Sequence, residues 1–238
     1  MPKGWALYAG CFKEAFKLRG QALLAITLSV SIVTISAGVL FAISNPSHLA
    51  FVGSLPFLEL IIFFITFVGG IVLLLFIYIF LDMAMLANAT SVLRGRRGSA
   101  VQGIRIAMQK SSTIFHSIRY FVAYLGGADF FFPSIILCEE FKGYRNARER
   151  SAILYPTLGK EVESAELFGS RMYWLSVLSI LPAIWLVLSI GRELGLSETG
   201  IIGLLIVIII ILLWLMGMNL AAIQTLRARK YLEVTSMA

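Results

Sequence analysis

Residues 200–218 of the chain have the sequence GIIGLLIVIIIILLWLMGM, which contains no charged side chain. A helix needs about 20 consecutive apolar residues to cross the hydrocarbon core of a bilayer, so this stretch predicts a membrane span over 200–223. Three further apolar stretches predict spans over 21–43, 57–83 and 172–191. The sequence therefore predicts an all-α, polytopic transmembrane helical bundle of about four spans, built as one membrane domain over 1–238.

Composition supports this class, and the basic residues give its orientation. Of the 238 residues, 59% are hydrophobic and only 14% are charged, which is outside the range of soluble domains. If each stretch crosses once, all of the 20 Lys and Arg residues except Arg192 lie on one side. Cytoplasmic loops accumulate Lys and Arg, so we expect an inner or plasma membrane protein with both termini in the cytoplasm.

The segments next to the spans have recognisable patterns. Residues 4–19 place Trp5, Tyr8, Phe12 and Ala15/Phe16 at helical spacing, which predicts an interfacial helix before the first span. The link 44–56 has two prolines and no cation, as expected outside. The helix of the second span is predicted to continue to about Leu93, where Gly95 and its arginine neighbours end it. Residues 224–238 form a cytoplasmic tail.

The central residues 98–170 predict a cytoplasmic or interfacial cap. Helical spacing gives its first helix one apolar face, made of Val101, Ile104, Met108, Phe115 and Ile118. Residues 119–138 follow as an apolar segment interrupted by Gly126, Gly127, Asp129 and Pro133. A full crossing here would move the later cations outside, so we favour a re-entrant helix–break–helix over a true span.

A cluster of basic residues lies just below the predicted membrane. It comprises Arg94, Arg96, Arg97, Arg105 and Lys110. Such juxtamembrane cations attract anionic lipid headgroups, so we expect lipid contact at these side chains. The excess of Lys and Arg in the cytoplasmic segments accounts for the net charge of +7. No nucleic-acid partner is expected, because no surface that combines aromatic and basic residues accompanies this charge.

Few residues suggest chemistry. Glu59 and Asp82 fall near opposite surfaces of the membrane, and a structural role is the favoured interpretation for each. Asp129 could cap a half-helix beginning at Phe130, or it could bind an ion or a partner. Asn219 is expected to hydrogen-bond a neighbouring helix. No catalytic motif, metal site or cofactor is predicted, and the isolated cysteines are expected to be packing residues.

One further pattern connects the central and last segments. Phe132-Pro133 is followed by Glu139/Glu140, then by Gly143, Ala147, Ser151 and Leu154, and by Gly159-Lys160. With the closing Asn219-Leu-Ala-Ala-Ile-Gln-Thr-Leu, this resembles a family of bacterial multi-pass inner-membrane proteins with no assigned activity. The chain departs from that family because residues 97–139 are too few for two full spans. The resemblance implies a membrane topology and no reaction.

These observations favour a non-catalytic function. We expect an accessory or scaffold subunit that contacts anionic lipids and assembles with itself or with other membrane proteins. The alternative is a small channel or transporter subunit that uses the broken segment around Asp129. A lipid-modifying enzyme is a third class, which the scattered positions of the ionisable residues disfavour.

Overall fold

The computed structural model describes residues 3–18, 20–27, 30, 31, 34, 57–112, 114, 130–139 and 144–236. Within these residues the regular structure is helical and contains no strand, which confirms the predicted all-α class. The helices are α1 (Lys3–Lys17), α2 (Phe57–Leu93), α3 (Ala100–Gln109), α4 (Phe132–Cys138), α5 (Tyr144–Leu154), α6 (Lys160–Leu178), α7 (Ile180–Glu193) and α8 (Glu198–Ser236). Residues 21–27 are also helical, and a 3-10 turn spans Tyr155–Thr157.

Among the residues that the structure describes, three stretches are long and apolar enough to cross a membrane. They are Phe76–Leu93, Lys160–Gly191 and Glu198–Ser236. The protein is therefore a membrane protein by the length and composition of its helices. The predicted first span 21–43 and the link 44–56 fall largely outside the described residues.

The end of α2 shows how the sequence stops a long helix. Gly95 adopts a positive φ of 78°, and its N–H donates to the carbonyl of Val92 at 2.8 Å. The N–H of Arg96 donates to the carbonyl of Ser91 at 3.0 Å. This pair of bonds is a Schellman motif, which satisfies the last carbonyl groups of the helix. Ser99 then accepts from the N–H of Gln102 at 3.1 Å and caps the start of α3.

The helix that contains the start of the predicted span 172–191 begins well before the apolar sequence does. The structure begins α6 at Lys160, twelve residues before the predicted span 172–191. A single residue, Ser179, separates α6 from α7. Pro182 lies three residues later and has no N–H to donate to the preceding turn, which accounts for the interruption.

The last helix, α8, extends beyond the predicted span at its C-terminal end. Residues 224–238 were predicted as a tail, but α8 remains helical to Ser236. Ala228 and Tyr231 are buried, at 0% and 2% exposure. The continuation is stable because this end of α8 packs against α1, α4 and α6.

The tightly packed core lies where α1, the second half of α2 and the second half of α8 meet. α1 packs against α6 and α8, while α2 packs against α3 and α8. The buried stripe of α1 consists of Gly4, Tyr8, Cys11 and Ala15. Of the residues that the sequence placed at helical spacing, Tyr8 and Ala15 are buried, whereas Phe16 is 59% exposed.

Small residues allow the helices to approach closely. A Cβ atom added at Gly103 of α3 would lie 2.4 Å from the carbonyl oxygen of Ala84 in α2. A Cβ atom added at Gly217 of α8 would lie 2.4 Å from the carbonyl oxygen of Ala25. Contacts of this kind are typical of helix interfaces in membranes, where van der Waals packing holds helices together.

Part of the apolar face predicted for α3 points away from the protein interior. Ala100, Gly103 and Ala107 are its buried residues, whereas Val101 is 75% and Met108 62% exposed. The close approach of Gly103 to α2 is the reason, since only small side chains fit between the two backbones. The other predicted members of this face, Phe115 and Ile118, fall outside the described residues.

The opposite end of the molecule is sparsely covered by protein. Only 11% of the apolar window in Lys160–Gly191 and 28% of that in Glu198–Ser236 is buried, against 67% for Phe76–Leu93. Trp185 of α7 and Ile202 of α8 are 69% and 56% exposed. These surfaces are suited to lipid or to other membrane helices.

Candidate functional site

The most deeply buried carboxylate belongs to Asp82 of α2, which is 3% exposed. Gln224 of α8 is 2% exposed, and its Nε2 donates to Oδ1 of Asp82 at 2.6 Å. A buried carboxylate is strongly unfavourable without such partners, so this hydrogen bond ties α2 to α8. The structural role predicted for Asp82 agrees with this contact, although the residue is buried between helices.

Arg227 extends this contact to a third helix. It lies one turn beyond Gln224, and its Nε and one terminal nitrogen donate to Oε1 of Glu166 in α6 at 3.1 and 2.5 Å. The guanidinium also stands 5.8 Å from the ring centre of Phe130, just before α4. We call Asp82, Gln224, Arg227 and Glu166 the Asp82 network. It joins α2, α6 and α8 at one level of the bundle.

A second polar junction fixes α1. The hydroxyl of Tyr8 donates to Oδ1 of Asn219 in α8, and Nδ2 of Asn219 donates to Oγ of Ser176 in α6 at 3.1 Å. The predicted hydrogen bond from Asn219 to a neighbouring helix is therefore confirmed. Tyr8 and Asn219 are both buried, at 3% and 5% exposure, so their polar groups depend on each other.

A third junction joins the helical residues 21–27 to α2. Gln21 is fully buried, and its Nε2 donates to the carbonyl of Met85 at 3.3 Å. In return, Nδ2 of Asn88 donates to Oε1 of Gln21 at 3.0 Å. These junctions place polar side chains on helix-to-helix contacts, where they specify the register of the bundle.

The pKa values near α1 reflect the same burial. Burial raises the pKa of the Cys11 thiol from 9.0 to about 11, and the neighbouring Glu14 adds to the shift. Burial also raises the pKa of Tyr8. Cys11 therefore stays protonated in the folded protein at a pH where it ionises in the unfolded chain.

We expect the free energy of unfolding to fall as pH rises from 9 to 11, partly because of Cys11. In this window the folded state holds the thiol proton and the unfolded state has lost it, so rising pH favours unfolding. The contribution is at most about 1.4 kcal/mol per pH unit. Denaturant titration of the detergent-solubilised protein would measure it. The Cys11→Ala variant should show a shallower decline, and an unchanged slope would contradict the assignment.

Of the five predicted lipid-contacting cations, Arg94, Arg96 and Arg97 lie between α2 and α3, Arg105 lies within α3, and Lys110 is at its C-cap. Arg94, Arg96, Arg97 and Arg105 are exposed, and Lys110 is half-buried. Their exposure leaves the guanidinium groups accessible to a headgroup.

Two of these cations also face a buried corner of the molecule. Burial raises the pKa of the Cys138 thiol, and the positive charges of Arg94 and Lys110 oppose that shift. The adjacent Glu139 accepts from the hydroxyl of Tyr231 at 2.9 Å, and Nε of Arg150 lies 3.7 Å from its second oxygen. This corner fastens the end of α4 to α8.

The predicted re-entrant element is described only in its second half. Gly126, Gly127 and Asp129 fall outside the described residues. Pro133 is buried in the first turn of α4, where its missing N–H costs no helical hydrogen bond. The half-helix begins at Phe132, with Phe131 at its N-cap position and no side-chain cap, so the expected start at Phe130 was wrong.

The described part of the chain offers little chemistry beyond these contacts. It contains no group of three or more His, Cys, Asp or Glu side chains that could hold a metal ion. A cavity of about 200 Å³ has an apolar lining, made of Ile26, Val30 and four residues of α8: Ile210, Ile211, Leu213 and Trp214. Such a lining suits an acyl chain better than a polar ligand.

Sequence reasoning missed most of the Asp82 network. Gln224 gave one usable signal, because it is a polar residue at helical spacing within the apolar sequence of α8. Glu166 and Arg227 gave none, since they resemble ordinary charged residues of the cap and the tail. Only the packing of α6 on α8 brings them together.

No protein-family model, no curated protein and no solved structure matches this chain. The resemblance to the bacterial multi-pass family therefore stays a prediction.

Proposed function

We propose that the protein is a non-catalytic integral membrane protein that acts as an accessory or scaffold subunit of a membrane complex. The main support for this proposal is that buried polar side chains hydrogen-bond between helices. Asp82, Asn219 and Gln224 each hydrogen-bond a side chain on another helix. A transporter or an enzyme would direct such groups into a cavity that receives a polar ligand.

The uneven packing supports the same function. The end that contains the Asp82 network is rigidly packed, while α7 and the first half of α8 leave large apolar side chains uncovered. A scaffold needs both properties, since a fixed body must present free surface to other membrane helices or to lipid. In this proposal the protein lies in the inner or plasma membrane with both termini in the cytoplasm. The basic cluster contacts anionic headgroups.

The native mass of the protein, gently solubilised from its own membrane, tests the proposal. We expect a discrete complex that contains other membrane chains, identified by mass spectrometry. If partner helices cover α7, Trp185→Ala should reduce their recovery several-fold. Ile153→Ala is a matched control, because Ile153 is 67% exposed, close to the 69% of Trp185, but lies in α5, outside the candidate spans. A protein that is monomeric and alone in mild detergent would contradict the proposal.

The alternative function is a small channel or transporter subunit. The observation in its favour is α4, a half-helix of seven residues whose residues from Phe132 to Leu137 are buried. A short buried helix next to a sequence break is typical of re-entrant elements. Under this alternative, Asp129→Asn alters ion flux into liposomes and leaves assembly intact, while Glu149→Gln on the exposed face of α5 does not. A symmetric homo-oligomer would favour this alternative over the scaffold.

A further inference from the structure

The outer face of α3 is an exposed apolar strip on a helix that is firmly held from behind. Val101 and Met108 are 75% and 62% exposed, and their spacing of seven residues places them on one side of the helix. On the other side, Gly103 lies against the backbone of α2. The strip is therefore a fixed feature of the fold.

Positive charge surrounds this strip. Arg96 and Arg97 precede α3, Arg105 lies within it, and all three are exposed. Residues 83–128 contain no Asp or Glu, so no acidic residue of this segment offsets these cations. Exposed apolar side chains combined with Arg on one helix are typical of surfaces that lie in the interface of an anionic membrane.

The depth of α3 along α2 suits that interface. α2 has 37 residues and is about 55 Å long at 1.5 Å per residue, so it is longer than a bilayer. The predicted span 57–83 is the crossing part in this arrangement, and residues 84–93 of the stretch Phe76–Leu93 lie beyond it. α3 contacts α2 at Ala84 and Asn88. Ala84 lies about 40 Å along the helix from Phe57, where α2 begins, at a rise of 1.5 Å per residue. A bilayer measures about 40–45 Å with its headgroups, so Ala84 reaches the cytoplasmic headgroup layer when Phe57 lies at the opposite surface.

We propose that α3 lies in the cytoplasmic headgroup layer, with Val101 and Met108 inserted toward the acyl chains and Arg96, Arg97 and Arg105 bound to the phosphates of anionic phospholipids. The helix thereby anchors the packed end of the molecule to the membrane surface. The inference rests on the lipid contact included in the proposed function, and it is independent of any partner chain.

Spin labels at positions 101 and 108 test the insertion. Val101→Cys and Met108→Cys are introduced separately, with Cys11 and Cys138 replaced by Ala, into protein in nanodiscs of phosphatidylcholine and phosphatidylglycerol. We expect both labels to collide more often with oxygen than with a water-soluble nickel chelate. Ile202→Cys in the span of α8 serves as the membrane reference, and Asn146→Cys on the exposed face of α5 as the aqueous reference.

Two results would overturn the insertion. Labels at both positions that behave like the label at position 146 would place α3 in water. Labels that neither reagent reaches would show a protein contact on the strip, either a second copy or a neighbouring segment. Because purified protein is used, these results do not depend on whether a membrane complex exists.

Headgroup binding is tested by exchanging three cations for glutamine. The triple variant Arg96→Gln, Arg97→Gln, Arg105→Gln should weaken phosphatidylglycerol binding by at least roughly tenfold, as each cation near an anionic surface contributes a several-fold factor. The control triple exchanges Arg145, Arg148 and Lys160, which are also exposed. It removes the same charge and should change binding by less than about twofold. If the two triple variants lost phosphatidylglycerol binding equally, the binding would depend only on total charge. That result would refute headgroup binding at α3.

Discussion

We expect Arg227→Met to lower the free energy of unfolding by about 3–5 kcal/mol, the largest effect of any single side chain in the polar junctions. Arg227 is 15% exposed and donates two hydrogen bonds to Glu166, which is 20% exposed. The apolar replacement leaves this carboxylate partly buried without its cation. Such a loss corresponds to a fall of roughly 6–20 °C in the apparent melting temperature, at about 2–4 °C per kcal/mol.

Arg229 provides a matched control on the same helix. It lies 3.6 Å from Glu14, but its side chain is 57% exposed, so Arg229→Met should change the free energy of unfolding by less than about 1 kcal/mol. The double variant Arg227→Met, Glu166→Leu should be more stable than Arg227→Met alone, because it also removes the stranded carboxylate. Unfolding in mixed detergent micelles would measure all three. Equal losses at positions 227 and 229 would contradict the importance of the Asp82 network.

The second large effect is expected at Gly20, where Ala should destabilise the protein by several kcal/mol. Gly20 has a φ of 79°, in the left-handed region, and an added Cβ would lie 2.2 Å from the backbone nitrogen of Ala100. The substitution therefore combines backbone strain with a collision that a side-chain movement cannot relieve. We expect it to displace the start of α3 from the turn that follows α1.

Two other glycines separate these contributions. Gly95 has nearly the same φ, 78°, but nothing lies within 4 Å of an added Cβ, so Gly95→Ala should cost about 1–2 kcal/mol from strain alone. Gly10 lies in α1 with equally open space, and Gly10→Ala should stabilise the helix by up to about 1 kcal/mol. Thermal unfolding of the three variants gives the comparison. If Gly20→Ala were no worse than Gly95→Ala, the close contact with α3 would not exist.

The close contact between Gly20 and Ala100 also helps to position the proposed lipid-binding surface. It holds the start of α3 against the turn after α1, while Gly103 holds the middle of α3 against α2. The exposed strip of Val101 and Met108 is therefore presented by a helix that is fixed at two points. A change at either glycine should disturb the depth of labels on the strip as well as the stability.

The sequence by itself determined the class of the protein and the course of α2 from Phe57 to Leu93. Solubility in a bilayer depends on the length and composition of a segment, which are properties of the linear chain. The stop of α2 at Gly95 and the interruption before Pro182 were also accessible, because glycine and proline act through their own backbone geometry.

Only the tertiary structure decided which side of each helix is buried and which polar groups meet. Helical spacing placed Val101 and Met108 on one apolar face of α3 but did not decide what covers that face. The backbone contact at Gly103 gave the protein-facing side to small residues. In a membrane, apolar side chains are stable facing lipid, so helix faces are selected by close packing and hydrogen bonding instead. The contacts of Arg227 with Glu166 and of Tyr8 with Asn219 join residues far apart in the chain, and no local pattern specifies them.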